Sequence, residues 1–425
     1  MKKFLTLLLA GSMVFTMAAC GGKKDEAPAS TTAAAADATE AAGGATEAAG
    51  GATEAPKSDV KVGFIFLHDE NSTYDNNFLV AAKAACEAKG VEYVGKTNID
   101  ESSDCYEAAA DMADMGCSLV FADSFGHESF MAQAAEEFPE VQFCHATGTT
   151  AHTSDLDNLH NAFAEIYNGR YLAGVAAGMK LNEMIANGDI TEDQAKMGYV
   201  GAYTYAEVIS GYTSFYLGAK SVCPSVTMEV QFTGSWYDET LEKEAAEKLL
   251  ADKCVLISQH ADSMGAPTAC ENAGVPNVSY NGSTISACPK TFIVSSRIDW
   301  QPYFEYIIDC VMKGEEIEDD YTGTLATGSV VLTDVNTDVA AEGTVEKIEE
   351  VKAQLESGEI HAFDTASFTV DGKTLDSYMA DVDTDEAYTP DTEVISDGYF
   401  HESEYRSAPY FDLRIDGITC LNEKF

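Results

Sequence analysis

The chain has 425 residues, of which 71 are Asp or Glu and only 25 are Lys or Arg, so its formal net charge is −46. Such an acidic surface repels phosphate backbones, which excludes nucleic acid from the expected partners. The length is sufficient for one large domain or two medium domains, each with a hydrophobic core.

The N-terminus has the pattern of an exported lipoprotein. Lys2 and Lys3 precede an apolar run from Phe4 to Ala19, and Cys20 follows small residues at the expected cleavage site. This pattern is typical of a signal peptide with a bacterial lipobox, and it is too short for a membrane span, which needs about 20 apolar residues. We therefore expect residues 1–19 to be removed, Cys20 to carry a lipid, and the protein to face the extracytoplasmic side of the cell membrane.

A flexible tether follows the lipid site. Residues 38–58 read "ATEAAGGATEAAGGATEAPKS", which consists of near-copies of a seven-residue unit. Its apolar positions carry only alanine and Gly-Gly pairs interrupt the run, which a coiled coil would not tolerate. A flexible linker over residues 20–59 spans roughly 30–40 Å and can hold a folded domain clear of a membrane.

The ten cysteines beyond Cys20, of 11 in the chain, do not have the spacing of a metal site. There is no CxxC and no Cys/His spacing of the zinc type. Several lie in apolar runs, as Cys144 and Cys254 do, where a free thiol behaves as a small buried hydrophobe. We expect mostly free, buried thiols and neither metal nor cofactor. The candidates for disulfide bridges, in more polar surroundings, are Cys105, Cys223, Cys270 and Cys288.

Short runs rich in Val, Ile and Phe alternate with helical stretches from residue 61 onward. This alternation predicts parallel sheets with helices on both faces, and roughly eight such units predict two sheets rather than one. The predicted helices are Phe78–Lys89, Glu128–Phe138, Tyr167–Met184, Leu241–Leu250 and Tyr303–Met312.

Aromatic and polar residues follow nearly every predicted strand. Because ligands of open α/β sheets bind beyond the carboxyl ends of the strands, this recurrence predicts a cleft for a flat, polar small molecule. Each ring can instead be a partly buried anchor, each acid a helix cap and each histidine a core residue. The candidate ligand-binding residues are Asp69, Tyr74, Asp75, Asp123, Ser124, Phe125, Trp236, His260, Asp262, Asn281 and Trp300.

Several segments together resemble the basic membrane protein family of lipoproteins, the substrate-binding components of ABC importers, which include purine nucleoside receptors. The segments are "VGFIFLHDENSTYDNNF", "GRYLAGVAAG", "GYTSFYLGAK", "TGSWYDETLEKEAAEKL", "SQHADS" and "SSRIDWQPYF". The likeness runs from about Val60 to Gly328 and is weaker beyond. It implies a small-molecule ligand and an ABC permease as partners.

The family resemblance implies a type I periplasmic-binding fold, in which two α/β lobes with parallel sheets are joined by a three-crossing hinge. We place the crossings near Asn161, Arg297 and Glu318. Lobe 1 would then comprise residues 60–161 and 298–318. Lobe 2 and the C-terminal segment would comprise residues 162–297 and 319–425.

The resemblance also implies two rings that clamp a base, at positions that match Tyr74 and Trp236. Tyr237 is then expected to face away and pack against its own lobe. The sugar-directed charges of the receptors are not matched, because Asn281 stands in place of an acid and Thr147 or Gly148 in place of another. A purine or related heterocycle without ribose is therefore as credible as a nucleoside.

The sequence has few features of other functions. The chain has no GxSxG elbow, P-loop, HExxH or GxGxxG after a strand, so an enzyme is not expected. Asp381, Asp383 and Asp385 alternate as in a calcium loop, but the required Gly and Glu are missing, which favours a solvated acidic loop. A surface sensor or adhesin with the same fold, or a binder of another heterocycle such as a flavin, remains as an alternative.

Overall fold

The computed structural model describes residues 58–382 and 390–423. The predicted signal peptide, Cys20 and all of the tether before residue 58 lie outside these residues, as do Asp383 and Asp385 of the acidic loop. No helix in the described ranges combines the length and apolar character needed to cross a membrane.

The described residues contain 17 strands and nine α-helices. The strands are β1 Lys61–Ile65, β2 Glu92–Lys96, β3 Leu119–Ala122, β4 Gln142–Ala146, β5 Leu159–Ala164, β6 Lys196–Gly201, β7 Thr227–Phe232, β8 Leu256–His260, β9 Asn277–Tyr280, β10 Phe292–Ile298, β11 Asp320–Gly323, β12 Val330–Leu332, β13 Met379–Ala380, β14 Thr392–Glu393, β15 Ile395–Ser396, β16 Tyr399–Phe400 and β17 Ile418–Cys420. The helices are α1 Thr73–Lys89, α2 Ser103–Asp114, α3 Glu128–Glu137, α4 Ile166–Asn187, α5 Ala206–Val222, α6 Glu239–Ala251, α7 Gly265–Ala273, α8 Gln301–Lys313 and α9 Thr344–Glu356.

The strands form two large sheets, as the alternating pattern predicts. The sheet of lobe 1 has the order β11-β5-β4-β3-β1-β2, and all of its pairs are parallel. The sheet of lobe 2 has the order β12-β10-β9-β8-β6-β7-β17, in which only β10 and β12 pair antiparallel. Parallel strands need helical crossovers, which is why the buried strands alternate with helices along the chain.

Three crossings join the two sheets. The first follows β5, which contains Asn161 and ends at Ala164. The second follows β10 near Arg297, as predicted. The third follows β11, which pairs with β5 in lobe 1, so it lies after Gly323 and not at Glu318. The sequence of β11, "DYTG", lacks the apolar residues that would mark a strand.

Close packing of α4 against α5 forms the core of lobe 2. A Cβ atom on Gly174 would lie 2.0 Å from the Phe215 carbonyl oxygen, and one on Gly218 would lie 2.0 Å from the Tyr171 carbonyl oxygen. The two helices therefore touch backbone to backbone, which only glycine permits at these positions. This contact explains why the "GRYLAGVAAG" and "GYTSFYLGAK" segments carry glycines inside helices.

The C-terminal segment, residues 364–382 and 390–423, binds both lobes rather than lobe 2 alone. In lobe 1, Asn161 Nδ2 donates to Ser407 Oγ at 2.9 Å, and Ser407 N donates to Asp320 Oδ2 at 2.7 Å. In lobe 2, Tyr167 OH donates to the Glu402 carbonyl oxygen at 3.0 Å, and β17 covers the edge strand β7. The C-terminal segment, which we grouped with lobe 2 on sequence grounds, therefore contacts both lobes.

The ten described cysteines are free thiols, and nine of them are buried. Cys420 is partly exposed. Burial raises the pKa of Cys86 and of Cys254 to about 12, so neither thiol is reactive at neutral pH. The expectation of mostly free, buried thiols is confirmed, and none of the four candidate cysteines forms a bridge.

Candidate functional site

The carboxyl ends of the two sheets face each other across a cleft, hereafter the cleft. Lobe 1 lines it with the loop after β1, the start of α1 and the ends of β3 and β4. Lobe 2 lines it with the start of α5 and the ends of β7, β8 and β9. The lining residues are Leu67, His68, Tyr74, Asp75, Ser124, Phe125, Thr147, Glu207, Trp236, His260, Asp262, Tyr280 and Asn281.

The lobes touch across the cleft. Thr73 N donates to the Asp262 carbonyl oxygen at 3.0 Å, and the rings of Phe125 and Tyr205 lie 5.6 Å apart. The free volume between the lining side chains is about 30 Å³, or about 400 Å³ when the gaps between atoms and the space open to solvent are included. The lobes are therefore in a closed arrangement around a small site.

The loop after β1 is held by a hydrogen-bonded pair of titratable side chains. Ser72 is the N-cap of α1, and Asp75 in the first turn accepts from His68 N at 2.7 Å and from His68 Nδ1 at 3.2 Å. Burial alone would raise the pKa of Asp75, but hydrogen bonds from His68 and Ser72 lower it below its usual value. A charged Asp75 carboxylate therefore stands at the lobe 1 side of the cleft.

The Tyr74 side chain is held in place by contacts within lobe 1. Its hydroxyl donates to the Asp123 carbonyl oxygen at 2.7 Å, and its ring lies edge-on to Phe78 at 4.8 Å. Asp123 does not line the cleft; its Oδ1 accepts from Leu67 N at 3.1 Å. Burial, and then the charge of Asp75, raise the pKa of Asp123 well above its usual range. Asp123 thus supports the loop rather than facing a ligand.

Trp236 stands opposite, in the turn between β7 and α6. Its carbonyl oxygen accepts from Asp262 N at 3.1 Å, and its ring lies 4.9 Å from Tyr203 and 5.9 Å from Tyr205. Asp238, which is the N-cap of α6, ends this turn by accepting from Leu241 N at 2.9 Å. A turn fixed at both ends presents the indole at the cleft, as the family resemblance implies.

A polar wall closes the lobe 2 side. Asp262 Oδ1 accepts from Asn281 Nδ2 at 2.9 Å, and Glu207 Oε1 lies 3.2 Å from His260 Nε2. Burial, and then the charges of Glu242 and Asp75, raise the pKa of Asp262 well above its usual range. The Asp262 and Glu207 carboxyl oxygens can accept hydrogen bonds and the Asn281 amide can donate one, so this wall can pair with both donors and acceptors of a ligand.

Tyr280, also in this wall, carries an unused hydrogen-bonding group. Its ring lies 4.5 Å from that of His260, and the side chain is 1% exposed. Its hydroxyl has no hydrogen-bond partner among the described residues. Because a buried hydroxyl without a partner costs free energy, Tyr280 is a candidate contact for a bound molecule.

Most of the predicted site residues lie together at the cleft, and three do not: Asp123, as described above, Trp300 and Asp69. Trp300 is 2% exposed and stacks on Phe78 at 4.4 Å in the core of lobe 1. Trp300 follows β10 after the second crossing, and its indole packs into lobe 1. Asp69 accepts from Asn71 N at 3.0 Å in a local turn away from the cleft lining. Trp300 and Asp69 therefore do not line the cleft. The residues that line the cleft as predicted are Tyr74, Asp75, Ser124, Phe125, Trp236, His260, Asp262 and Asn281.

Tyr237 also differs from its expected place. Its ring lies 5.6 Å from that of His68, so it contacts lobe 1 rather than only its own lobe. Four polar lining residues were not among the predicted ligand contacts: His68, Thr147, Glu207 and Tyr280. Thr147 and Tyr280 stand at strand ends, which is a signal that could have found them. Glu207 lies in the first turn of α5 in a chain rich in acids, and nothing in the sequence distinguishes it.

The described residues contain no group of three or more His, Cys, Asp or Glu side chains arranged to hold a metal ion. The polar side chains of the cleft are instead paired with each other, as Asp75 is with His68 and Asp262 is with Asn281. Two rings from opposite lobes and a mixed polar wall can hold a small, flat organic molecule.

Comparison with known proteins places the chain among solute-binding proteins. The family model of PnrA-like ABC transporter substrate-binding proteins matches residues 69–364. A purine-binding protein of Brucella abortus (strain 2308) is 31% identical over 312 residues, which cover 72% of this chain and 83% of the relative. A putative ABC transporter glucose-binding protein of Haloferax volcanii is 30% identical over 224 residues, 53% of this chain and 54% of the relative.

Solved structures show the same fold. A solute-binding protein of an ABC transporter system from Aeropyrum pernix K1 has a TM-score of 0.61 at 19% identity, over 72% of this chain and 93% of that chain. At this identity the likeness supports the two-lobed periplasmic-binding fold and no finer property. With a family match over more than half of its length, the chain belongs to the PnrA-like family of ABC transporter substrate-binding proteins.

Proposed function

We propose that this protein captures a purine, as nucleobase or nucleoside, in the cleft and delivers it to an ABC permease. The observation that carries the proposal is the pair of rings, Tyr74 and Trp236, which come from opposite lobes and line one cavity. A heterocycle between two rings gains stacking energy of roughly 1–3 kcal/mol per ring. Because the rings belong to different lobes, the same contact holds the lobes together around the ligand.

The polar wall suits the edge of a purine. Purines present ring nitrogens that accept hydrogen bonds and amino or ring N–H groups that donate them. Glu207, Asp75 and Asp262 can accept, the Asn281 amide can donate, and the Tyr280 hydroxyl can do either. Residues that match both kinds of group discriminate a purine from an apolar ring of similar shape.

The size of the site favours a nucleobase over a nucleoside. The free volume of the cleft in this closed arrangement is about 30 Å³, far below the roughly 300–1,000 Å³ common for small-molecule sites, so a smaller ligand requires less opening of the lobes. Asn281, and Thr147 or Gly148, also stand where the nucleoside receptors resembled by the sequence have acids. A ribose would therefore lack carboxylate partners at these two positions, whereas a base would keep both rings.

The purine-binding relative from Brucella abortus supports the same ligand class at 31% identity. The relative from Haloferax volcanii has a name that specifies glucose, so a sugar is the natural competitor in a binding screen. Tyr74 and Trp236 can also contact one face of a sugar, but stacking on both faces favours a flat ring.

We also propose that Cys20 carries a lipid and that the tether holds the lobes at the extracytoplasmic face of the membrane. The proposal rests on the apolar run before Cys20 and on the low-complexity composition of residues 20–59. A tethered binding protein stays near its permease, which raises the local concentration of the loaded form.

A thermal-shift screen of the purified protein tests the ligand class. The screen uses adenine, hypoxanthine, guanosine, adenosine, riboflavin and glucose, each at the same concentration. A purine at 100 times its dissociation constant should add about 2.7 kcal/mol to the free energy of unfolding. A shift with glucose or riboflavin and none with the purines would contradict the proposal.

A further inference from the structure

A second cavity, hereafter the annex, adjoins the cleft. It lies between the lobes and the C-terminal segment. Its free volume is about 500 Å³, or about 1320 Å³ when the gaps between atoms and the space open to solvent are included. The two cavities share Phe125, Thr147, Glu207 and Trp236 as walls. The tight cleft and a much larger space thus lie next to each other, with these four side chains between them.

Part of the outer wall of the annex lies beyond the residues that the family model matches. Tyr378, Met379 and Tyr410 contribute to it from the C-terminal segment, whereas the family model matches only residues 69–364. Tyr378 OH donates to Asp412 Oδ1 and Tyr410 OH donates to the His401 carbonyl oxygen. These bonds fix both rings within the segment.

The annex also gathers exposed apolar side chains from three parts of the chain. Phe125 is 44% exposed, Tyr205 is 43% exposed and Met379 is 43% exposed, and all three line it. They come from lobe 1, lobe 2 and the C-terminal segment respectively. A soluble protein seldom leaves such side chains together in one concave surface unless the surface contacts something apolar.

The charges of the annex indicate what kind of group fits it. Arg406 is its one described cation, whereas Glu207, Asp381 and Asp412 are acids. An acidic surplus disfavours an anionic group such as a phosphate or carboxylate. The aromatic rings and Met379 favour a neutral, apolar group.

We propose that the cleft and the annex form one ligand site, in which the heterocycle lies in the cleft and an apolar aromatic substituent of the same molecule extends past Trp236 and Phe125 into the annex. The proposal rests on the proposed function, because it requires a purine-sized ring in the cleft. Its ligand class is a purine that carries a bulky, neutral substituent.

Calorimetric titration of the purified protein with adenine, N6-benzyladenine and 9-benzyladenine tests the inference. The two isomers direct the same benzyl group along different vectors from the purine ring. At least one should bind about tenfold more tightly than adenine, because the phenyl ring becomes buried against apolar side chains. If adenine binds and neither isomer binds more tightly, the inference is overturned while the proposed function stands. If neither adenine nor its derivatives bind, the inference is overturned; the proposed function is overturned as well only if hypoxanthine, adenosine and guanosine also fail to bind.

A matched pair of variants locates the substituent. Met379→Glu places a charge in the annex, and Met312→Glu makes the same change on α8, at a side chain that is 44% exposed and lines neither cavity. For Met379→Glu, the affinity of the tighter benzyl isomer relative to adenine should fall at least about fivefold. For Met312→Glu that ratio should remain that of the parent. An equal ratio in both variants would overturn the placement in the annex.

Discussion

Replacing Trp236 by alanine should weaken purine binding by about 5- to 150-fold, because a ring that stacks on a base contributes roughly 1–3 kcal/mol. The structure indicates that the variant keeps its fold. Trp236 holds the neighbouring loop through its carbonyl oxygen, which accepts from Asp262 N at 3.1 Å, and alanine retains that bond. Trp236→Phe keeps an aromatic face and should therefore lose much less affinity.

Fluorescence provides the assay, because the chain has only two tryptophans. Trp236 lines the cleft, whereas Trp300 is 2% exposed in the core of lobe 1. A purine should therefore change the emission of the parent and of Trp300→Phe, but not that of Trp236→Phe. Trp300→Phe should lower the free energy of unfolding by about 1–3 kcal/mol while leaving affinity near that of the parent.

The reasoning about the two rings has a clear refutation. If Trp236→Ala binds the purine as tightly as the parent, the indole only packs against Tyr203 and Tyr205. If the emission change persists in Trp236→Phe and disappears in Trp300→Phe, the ligand acts on the core of lobe 1 and not at the cleft.

Three further predictions concern stability and anchoring. Burial raises the pKa of Glu242 from 4.5 to about 7. Between these pH values the folded state therefore binds more protons than the unfolded state. The free energy of unfolding should fall by up to about 3 kcal/mol as pH rises from 4.5 to 7. Urea titrations across this range should show a flatter profile for Glu242→Gln, and an unaltered profile would refute the assignment. Arg170 is fully buried and donates to Tyr199 OH at 3.0 Å and Ser258 Oγ at 2.9 Å, so Arg170→Ala should lose at least about 3 kcal/mol by urea unfolding, and a loss below about 1 kcal/mol would contradict this role. Cys20→Ala should move the protein from the membrane fraction to the soluble fraction with its purine affinity retained, and retention on membranes would refute the lipid anchor.

The fold followed from the sequence where the periodicity was strong. Helix α4, for example, is Ile166–Asn187 where residues 167–184 were predicted, and the strands rich in Val, Ile and Phe all lie in the two sheets. The short strand β11 was missed because its residues are polar, and its pairing with β5 depends on a contact between segments far apart in sequence. Because β11 was not predicted, the third crossing was placed before this strand instead of after it.

The cleft was predictable in outline because parallel strands bring their carboxyl ends to one edge. That rule placed Tyr74, Trp236 and Asp262 correctly, but it cannot tell which way a side chain turns. Trp300 obeys the rule in sequence and yet packs into lobe 1 against Phe78. Glu207 reaches the cleft from the start of α5 because α5 begins at the carboxyl end of β6, and the sequence alone gave no reason to prefer it over other acids.

The position of the C-terminal segment could not be predicted from local sequence patterns. Its strands have two or three residues, and its contacts with Asn161 and Tyr167 join parts of the chain more than 200 positions apart. No local pattern reports such contacts, so its position across both lobes emerges only from the structure.

A crystal structure of the protein grown with adenine tests the central claim most directly. The account predicts the purine ring between Tyr74 and Trp236, with atoms of both side chains within about 4.5 Å of it, and a hydrogen bond from the base to Asp262, Asn281 or Glu207. A purine bound outside the cleft, or within it but in contact with neither ring, would contradict the account.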